Sequence, residues 1–190
     1  MDHSARRTDR RLDDPVSIAR RDPARLSDLR SRDWLYQPPD DALDRLTWLA
    51  AKTLDTPIAL LTLVDRDRDF YASKFGPWPA DGAREFAGST FCQLTLTMDE
   101  PLLVDDALTS PILRDLDVVR EGHIESFAGV PLKSTAGHHV GCFCVAHRAP
   151  RTWSDAAVAI LSKLGEAALH ELHRMTALRT AHSTAADRRS

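Results

Sequence analysis

Residues 125–147 read ESFAGVPLKSTAGHHVGCFCVAH, two β-rich runs joined by small and polar residues. The runs are Glu125 to Lys133 and His138 to His147, and so short a link is typical of a β-hairpin. A second pair with this arrangement lies earlier in the chain, at Ile58 to Val64 and Asp69 to Phe75. Two hairpins predict a largely antiparallel sheet, because paired parallel strands would need long helical crossovers between them.

The segments around the hairpins carry helix signals: a capping residue followed by apolar residues at three- and four-residue spacing. Asp40, for example, precedes a run in which Leu43, Leu46 and Ala50 recur at this spacing. The predicted helices are Pro23 to Arg32, Asp40 to about Leu54, Ser89 to about Met98, a short helix within Thr109 to Gly122, and a long helix from Ser154 to about Leu178. With Pro101 to Asp105 as a further strand, the expected fold class is α+β.

Composition and charge argue against several classes of protein. The chain has 190 residues, 43% hydrophobic and 28% charged, with a formal net charge of -3. This balance provides no broad basic field for nucleic acid or an anionic membrane. No run approaches the roughly 18 apolar residues of a membrane span, and the first residues lack the apolar core of a secretory signal. The three cysteines, an odd number, indicate reduced thiols, so we expect a cytoplasmic location.

One folded domain is expected, with a disordered tail on each side. Residues 1–21 alternate Arg and Asp with almost no large apolar side chains, and residues 179–190 have a similar composition. Neither segment can bury enough surface to offset its ordering entropy. The domain is predicted to span residues 22–178, including a leader helix and the long C-terminal helix.

Seven segments, taken in chain order, resemble one protein family. They are Arg25-Leu26 with Pro38-Pro39 and Leu43 to Leu46, Ile58 to Asp65, Asp69 to Gly76, Ser89-Thr90-Phe91-Cys92, Pro101 to Ala107, Phe127 to Leu132, and Gly141 to Val145. The resemblance is to a bacterial stand-alone GAF domain and covers about Pro23 to about Leu178. It implies a GAF-like, largely antiparallel sheet of five to six strands with flanking helices, and a sensory or regulatory role without catalysis.

Two segments depart from the family pattern. Glu125-Ser126-Phe127 stands where the subgroup often has Arg-Phe-Tyr, and a strand that ends in Asp in the family ends here in His147. An anion-binding role of that Arg therefore does not transfer. The chain also has no Cys-His pair of the kind that anchors bilins in phytochrome-like relatives, so we expect no chromophore and no other cofactor.

The resemblance implies a ligand pocket between one sheet face and the segments Ser89 to Met98 and Thr109 to Gly122. His123 lies in the long connection that commonly shapes the pocket of this family, as a candidate ligand contact or axial haem ligand. From position alone, the residues predicted to line the pocket are Phe91, Cys92, Asp105, His123, Phe127 and Cys144.

Cys142 and Cys144 are two residues apart on a strand, so their side chains point to the same face. One interpretation is a redox or metal pair, with Cys92 as a third member. The favoured interpretation is small buried core side chains, because a tetrahedral zinc site needs a fourth ligand at suitable spacing. The sequence contains no phosphate-binding glycine-rich loop, nucleophile elbow or zinc motif, so neither a metal site nor an enzyme is predicted.

The long C-terminal helix carries a narrow apolar stripe. Its members are Leu161, Leu164, Ala168, Leu172 and Met175. Such a stripe can dock on the sheet of its own domain, and in GAF domains the terminal helices often pair across a dimer. The resemblance therefore implies a homodimer formed through these residues.

Of three possible functions, the sequence favours the first. The first is a sensor that binds a small molecule and passes the signal to a partner protein through the terminal helix. The alternative is a protein-interaction or dimerisation module whose cavity is filled by Phe91, Phe127 and Phe143. The third is a redox enzyme such as a free methionine sulfoxide reductase, which the placement of two cysteines within one strand disfavours.

Overall fold

Six strands form the centre of the structure, a computed structural model that describes residues 14–78, 82–121 and 124–187. They are β1 (Ile58–Val64), β2 (Asp69–Phe75), β3 (Glu85–Phe86), β4 (Leu102–Val104), β5 (Ser126–Lys133) and β6 (His139–His147). Their order across the sheet is β3-β2-β1-β6-β5-β4, and every neighbouring pair is antiparallel. Both predicted hairpins and the α+β class are confirmed. Strand β3, only two residues long, is too short to show a sequence pattern.

Helices flank this sheet on both faces. The α-helices are α1 (Pro15–Arg21), α2 (Pro23–Ser31), α3 (Asp41–Thr53), α4 (Phe91–Leu94), α5 (Asp117–Arg120) and α6 (Asp155–Asp187). Single 3₁₀ turns lie at Thr95–Thr97, Ala107–Thr109 and Leu113–Asp115. The predicted caps at Asp22 and Asp40 are confirmed, because each side chain accepts a hydrogen bond from a backbone amide of the first helical turn.

Three boundaries differ from the sequence predictions. Residues 15–21 form a helix rather than disordered chain, because Asp14 caps it and Arg25 binds the carbonyl oxygens of its last turn. Helix α6 continues past Leu178 to Asp187, since that stretch holds neither Gly nor Pro. Helix α4 is capped by Thr90 rather than Ser89, and it ends in a 3₁₀ turn instead of running to Met98. The remaining residues of both predicted tails lie outside the described residues.

The alternation of side chains along β6 separates the core into two layers. Phe143 and Val145 pack beneath α3 and α6, with Leu161, Ala168 and Leu172 of α6 in the same cluster. Cys142 and Cys144 face the opposite way, into a second cluster covered by α4 and α5. The predicted pocket belongs to this second face.

Two glycines allow close approaches that a side chain would block. A Cβ on Gly141 would lie 1.9 Å from the carbonyl oxygen of Thr62, so glycine is required where β6 passes β1. A Cβ on Gly165 would lie 2.7 Å from Cγ2 of Val130, so glycine allows α6 to pack closely against β5.

Helix α6 has 33 residues, yet within residues 14–78, 82–121 and 124–187 no helix is long and apolar enough to cross a membrane.

Candidate functional site

Two aromatic side chains occupy the predicted pocket. The rings of Phe91, at the start of α4, and Phe127, on β5, stack with centroids 4.9 Å apart and planes inclined by 24°. Their exposed fractions are 1% and 2%. Offset stacking of this kind stabilises a pair beyond the burial of its surface. The two rings therefore fill the space in which a ligand would lie against the sheet.

Little free volume remains around this pair. The cavity measures about 10 Å³, room for about one water molecule. Trp78 closes one side, with its ring edge-on to Phe86 at a centroid distance of 5.0 Å. The lining residues are Leu60, Tyr71, Trp78, Thr90, Phe91, Cys92, Val118, Ile124, Phe127 and Ala146. Sequence reasoning missed Tyr71 and Trp78, although the alternation of β2 could have placed Tyr71 on this face.

The structure brings some of the predicted pocket residues together and separates others. Phe91, Cys92 and Phe127 line the cavity, and Cys144 lies directly behind Cys92 in the same layer. Asp105 is exposed at the end of β4, where its carbonyl oxygen accepts a hydrogen bond from the amide of Arg151. The prediction for Asp105 is wrong, because the edge strand ends before this residue and turns it outward. His123 lies outside the described residues.

Phe143 does not contribute to the packing that fills the cavity. It is fully buried in the other layer, beneath α3 and α6, because it alternates with Cys142 and Cys144 along β6. Of the three rings predicted to fill the cavity, Phe91 and Phe127 line it, and Phe143 lies in the other layer.

The three cysteines form a buried cluster beside the cavity. Their Sγ atoms all lie within 4.8 Å of one another, and the Sγ atoms of Cys92 and Cys144 are 3.8 Å apart. Their exposed fractions are 4% for Cys92 and 0% for Cys142 and Cys144. Cys92 also donates a 3.4 Å hydrogen bond to Oγ1 of Thr62.

Hydrogen bonds among the thiols shift their pKa values in opposite directions. Burial opposes a thiolate at Cys142, but hydrogen bonds from the other two thiols and from Thr95 lower its pKa. The hydrogen bond with Cys142 raises the pKa of Cys92, and burial raises that of Cys144. The thiols therefore do not ionise independently, and a charge on one of them opposes a charge on the others.

A buried carboxyl group lies at the edge of the same layer. Asp69, with an exposed fraction of 0%, accepts a 2.6 Å hydrogen bond from Thr90 and a 3.2 Å bond from Nε2 of Gln93. Burial and the nearby thiol of Cys92 raise the pKa of Asp69 to about 8, against the lowering effect of these two hydrogen bonds. Asp69 is thus held as a neutral acid at neutral pH.

An open cleft of about 400 Å³ lies outside the filled pocket, between α1, α4 and α5. Arg20 of α1 reaches into it, and its Nη1 atom donates a 3.1 Å hydrogen bond to Oε1 of Gln93. On the other wall, the amide of Ser89 donates a 2.8 Å hydrogen bond to Oδ2 of Asp117. The cleft therefore contains polar groups that connect through Gln93 to the buried Asp69.

The predicted dimer residues lie inside the protomer. Leu161, Ala168 and Leu172 have exposed fractions of 0%, 0% and 1%, and Leu164 and Met175 pack partly buried against the same core. The stripe therefore docks α6 on its own sheet, the first of the two roles that its pattern allows. Leu161, Ala168 and Leu172 are therefore covered by their own protomer, whereas Leu164 and Met175 keep part of their surface exposed, and a dimer through the stripe stays a prediction.

A model of the GAF domain family matches residues 38–172. This chain belongs to the GAF domain family. The match spans all six strands and most of α6, including both layers of the core.

A relative among characterised proteins is the cyclic di-GMP phosphodiesterase PA2567 of Pseudomonas aeruginosa, 27% identical over 143 residues. The alignment covers 74% of this chain and 24% of that protein, so the chain spans about a quarter of the relative's length. The activity in that name belongs to the much longer relative.

Solved structures share the fold. The GAF domain of an Acinetobacter phosphoenolpyruvate-protein phosphotransferase superposes with a TM-score of 0.58 at 18% identity, covering 83% of this chain and 98% of that chain. The type II free methionine-R-sulfoxide reductase of Thermoplasma acidophilum gives a TM-score of 0.55 at 13% identity, covering 70% and 90%. At these identities the similarity concerns the fold alone.

Proposed function

We propose that this chain is a non-catalytic regulatory GAF domain that acts through contacts with proteins, a second copy of itself included. The observation that carries this proposal is the stacked pair of Phe91 and Phe127, which fills the sheet-face pocket and leaves about 10 Å³ free. A ligand in that place would have to displace both rings. Removing one buried Phe side chain from its packing costs about 3–5 kcal/mol, which a small ligand would have to offset.

Exposed apolar side chains supply a candidate contact surface. On α3, Trp48 and Leu49 have exposed fractions of 50% and 42%, and on α6 Ile160 and Leu178 have 37% and 46%. These side chains lie outward from the two helices that cover one sheet face. We therefore place the proposed homodimer interface on this outer surface and not on the buried stripe of α6.

The cysteines argue against a sulfoxide reductase. Such chemistry needs a thiolate that a substrate can reach, and Cys92, Cys142 and Cys144 are buried. The hydrogen bond with Cys142 also raises the pKa of Cys92, and burial raises that of Cys144. Free thiols of this kind fit a reducing compartment, in agreement with a cytoplasmic location.

Two measurements on the full chain test this proposal. Sedimentation equilibrium is expected to give a dimer, and native mass spectrometry is expected to give its mass without a retained small molecule. Titration calorimetry with a panel of metabolites and cyclic nucleotides should then show no binding at low micromolar concentrations. A monomer at all concentrations, or a stoichiometric ligand whose binding raises Tm, would overturn the proposal.

The open cleft supports a second candidate, a small-molecule sensor. Its volume of about 400 Å³ lies within the range of ligand sites, and it contains Arg20, whose Nε atom is buried without a hydrogen-bond partner. A ligand bound here would contact Gln93 and so reach the network of Asp69. Loss of a measured ligand affinity on Arg20→Met, with unchanged affinity in Arg21→Met, would favour this candidate over the first.

A further inference from the structure

The chain holds three cysteines, and the fold collects all of them at one point. Cys142 and Cys144 come from one face of β6, and Cys92 reaches them from α4 on top of that face. Fifty residues separate the contributing segments, so the cluster is a product of tertiary structure. Such an arrangement offers three sulfur ligands from a single side of the sheet.

The spacing suits coordination of one atom by three sulfurs. A metal–sulfur bond of about 2.3 Å and a pyramidal or tetrahedral angle place two sulfurs about 3.4–3.8 Å apart. The Sγ atoms of Cys92 and Cys144 are 3.8 Å apart, and no pair exceeds 4.8 Å. Small side-chain rotations would bring the third sulfur into range.

Charge decides which atom fits. Asp69 and Tyr71 are ionisable groups beside the cluster, and neither is positively charged. Three thiolates around a monovalent or divalent ion would leave a net negative charge in an apolar layer, which is strongly disfavoured. Three thiolates around a trivalent ion form a neutral group.

We propose that Cys92, Cys142 and Cys144 form a binding site for one trivalent arsenic-type metalloid, As(III). Arsenous acid, As(OH)₃, loses three hydroxyls, and three As–S bonds form while each hydroxyl leaves as water with one thiol proton. Where one cysteine begins as a thiolate, one proton from solvent takes the place of the missing thiol proton. No oxidant or reductant takes part.

The coordination number gives a second reason to propose As(III) and not zinc. Zinc requires four ligands, and in the described part of the chain only these three Cys, His or acidic side chains converge on the cluster. As(III) completes its shell with three ligands and a lone pair, so the threonine hydroxyls around the sulfurs need not participate. Arsenous acid is uncharged at neutral pH, and it enters when α4, a single helical turn that carries Cys92, opens locally.

Binding to the full chain is measured with arsenite under reducing conditions. The expected result is one arsenic per chain, a mass increase of one arsenic less three hydrogens, and an X-ray absorption spectrum with three sulfur neighbours and no oxygen neighbour. Arsenite should also raise Tm, because the folded state holds the three sulfurs together. Arsenic bound with an oxygen neighbour, or a lowered Tm, would overturn the proposal.

Variants distinguish this three-cysteine site from nonspecific binding of arsenite to individual thiols. Cys92→Ala, Cys142→Ala and Cys144→Ala should each reduce affinity for arsenite at least tenfold, whereas Thr62→Val removes a polar neighbour of Cys92 and should keep full affinity. If an alanine variant fails to fold, the serine variant at that position serves instead. Wild-type affinity for arsenite in the variants that lack one cysteine would refute a trivalent-metalloid site. Displacement of arsenic by equimolar Zn²⁺ or Cu⁺ would refute it as well.

Discussion

The hydroxyl of Thr90 lies 2.6 Å from Oδ2 of Asp69, and this hydrogen bond ties the cap of α4 to the buried start of β2. The same threonine accepts a hydrogen bond from the amide of Gln93, whose side chain also reaches Asp69. One acid group thus holds the segment that covers the filled pocket. Its protonation state affects the stability of that segment.

Asp69→Asn is expected to remove a pH dependence of folding. Because the pKa of Asp69 is raised in the folded state to about 8, the folded chain binds a proton that the unfolded chain releases above about pH 4. The contribution of Asp69 to stability is therefore greatest below that pH and falls by up to about 1.4 kcal/mol per pH unit until about pH 8. Urea unfolding between pH 5 and pH 8 should show this slope in the wild type and a flatter one in the variant. Asp67→Asn, an equal charge change at an exposed neighbour, should retain the wild-type slope.

Phe127→Ala is expected to open the filled pocket. Truncation of a fully buried ring costs about 3–5 kcal/mol and leaves an apolar cavity beside Phe91. Benzene should then raise Tm of the variant but not of the wild type. Phe75→Ala deletes the same ring at a half-buried place on the other layer and should show a smaller loss and no benzene effect. A loss below about 1 kcal/mol in Phe127→Ala would contradict the packing described above.

Trp34→Phe is expected to loosen the C-terminal half of α6. The indole Nε1 of Trp34 donates hydrogen bonds of 3.1 Å to the carbonyl oxygen of Leu172 and 2.9 Å to Oγ1 of Thr176. Losing this buried donor should cost about 1–2 kcal/mol and speed amide exchange around residues 172–180. Trp48→Phe changes a half-exposed indole and should alter stability by less than about 0.5 kcal/mol. Unchanged amide exchange in Trp34→Phe would show that α6 is held elsewhere.

Arg25→Met is expected to detach α1. The buried guanidinium of Arg25 donates to the carbonyl oxygens of Ala19, Arg20 and Val64 at 2.8, 2.9 and 2.7 Å. Burial lowers the pKa of Arg25 to about 10, so it remains charged at neutral pH, and its loss should cost about 2–4 kcal/mol by thermal unfolding. Arg30→Met removes a neighbouring, half-exposed ion pair with Asp65 and should cost less than about 1 kcal/mol. Equal losses in the two variants would contradict this role.

Ile160→Glu is expected to dissociate the proposed dimer. Ile160 lies on the outer surface of α6, where a charge would be desolvated by a second copy but tolerated in the monomer. Sedimentation should show at least a tenfold weaker dimer at unchanged Tm of the monomer. Leu103→Glu introduces the same charge on the edge strand β4, at a similar exposed fraction of 43%, and should leave the dimer intact. Dissociation by Leu103→Glu alone would move the interface to that edge.

Much of the fold follows from the sequence because its signals are local. Two pairs of β-rich runs, each pair joined by a short polar link, determine both hairpins, and Asp22 and Asp40 determine the start of α2 and α3. Helix α1 is missed because its stability depends on Arg25 binding its last carbonyls, a tertiary contact that composition does not reveal. The same is true of β3, which exists only as a partner of β2.

The site is harder to predict because it depends on which face a residue occupies. Strict alternation along β6 excludes Phe143 from the layer of Cys144, so the placement of Phe143 could have been predicted from the sequence. The contact of Cys92 with the cysteines of β6 could not have been predicted, because it depends on how α4 packs over the sheet. For the stripe of α6 the spacing predicts burial, and the sequence alone does not say whether its own sheet or a partner covers it.

Strand β5 presents Phe127 to one side and Val130 to the other, where Gly165 admits α6 to close contact. With 33 residues, α6 is a rod about 50 Å long. A tilt of about 5° about the Gly165 contact would sweep the last turn, about 33 Å away, through roughly 3 Å. Phe127 and α6 thus pack on opposite faces of one strand, so a displacement of β5 around Phe127 would be passed to the helix at the Gly165 contact.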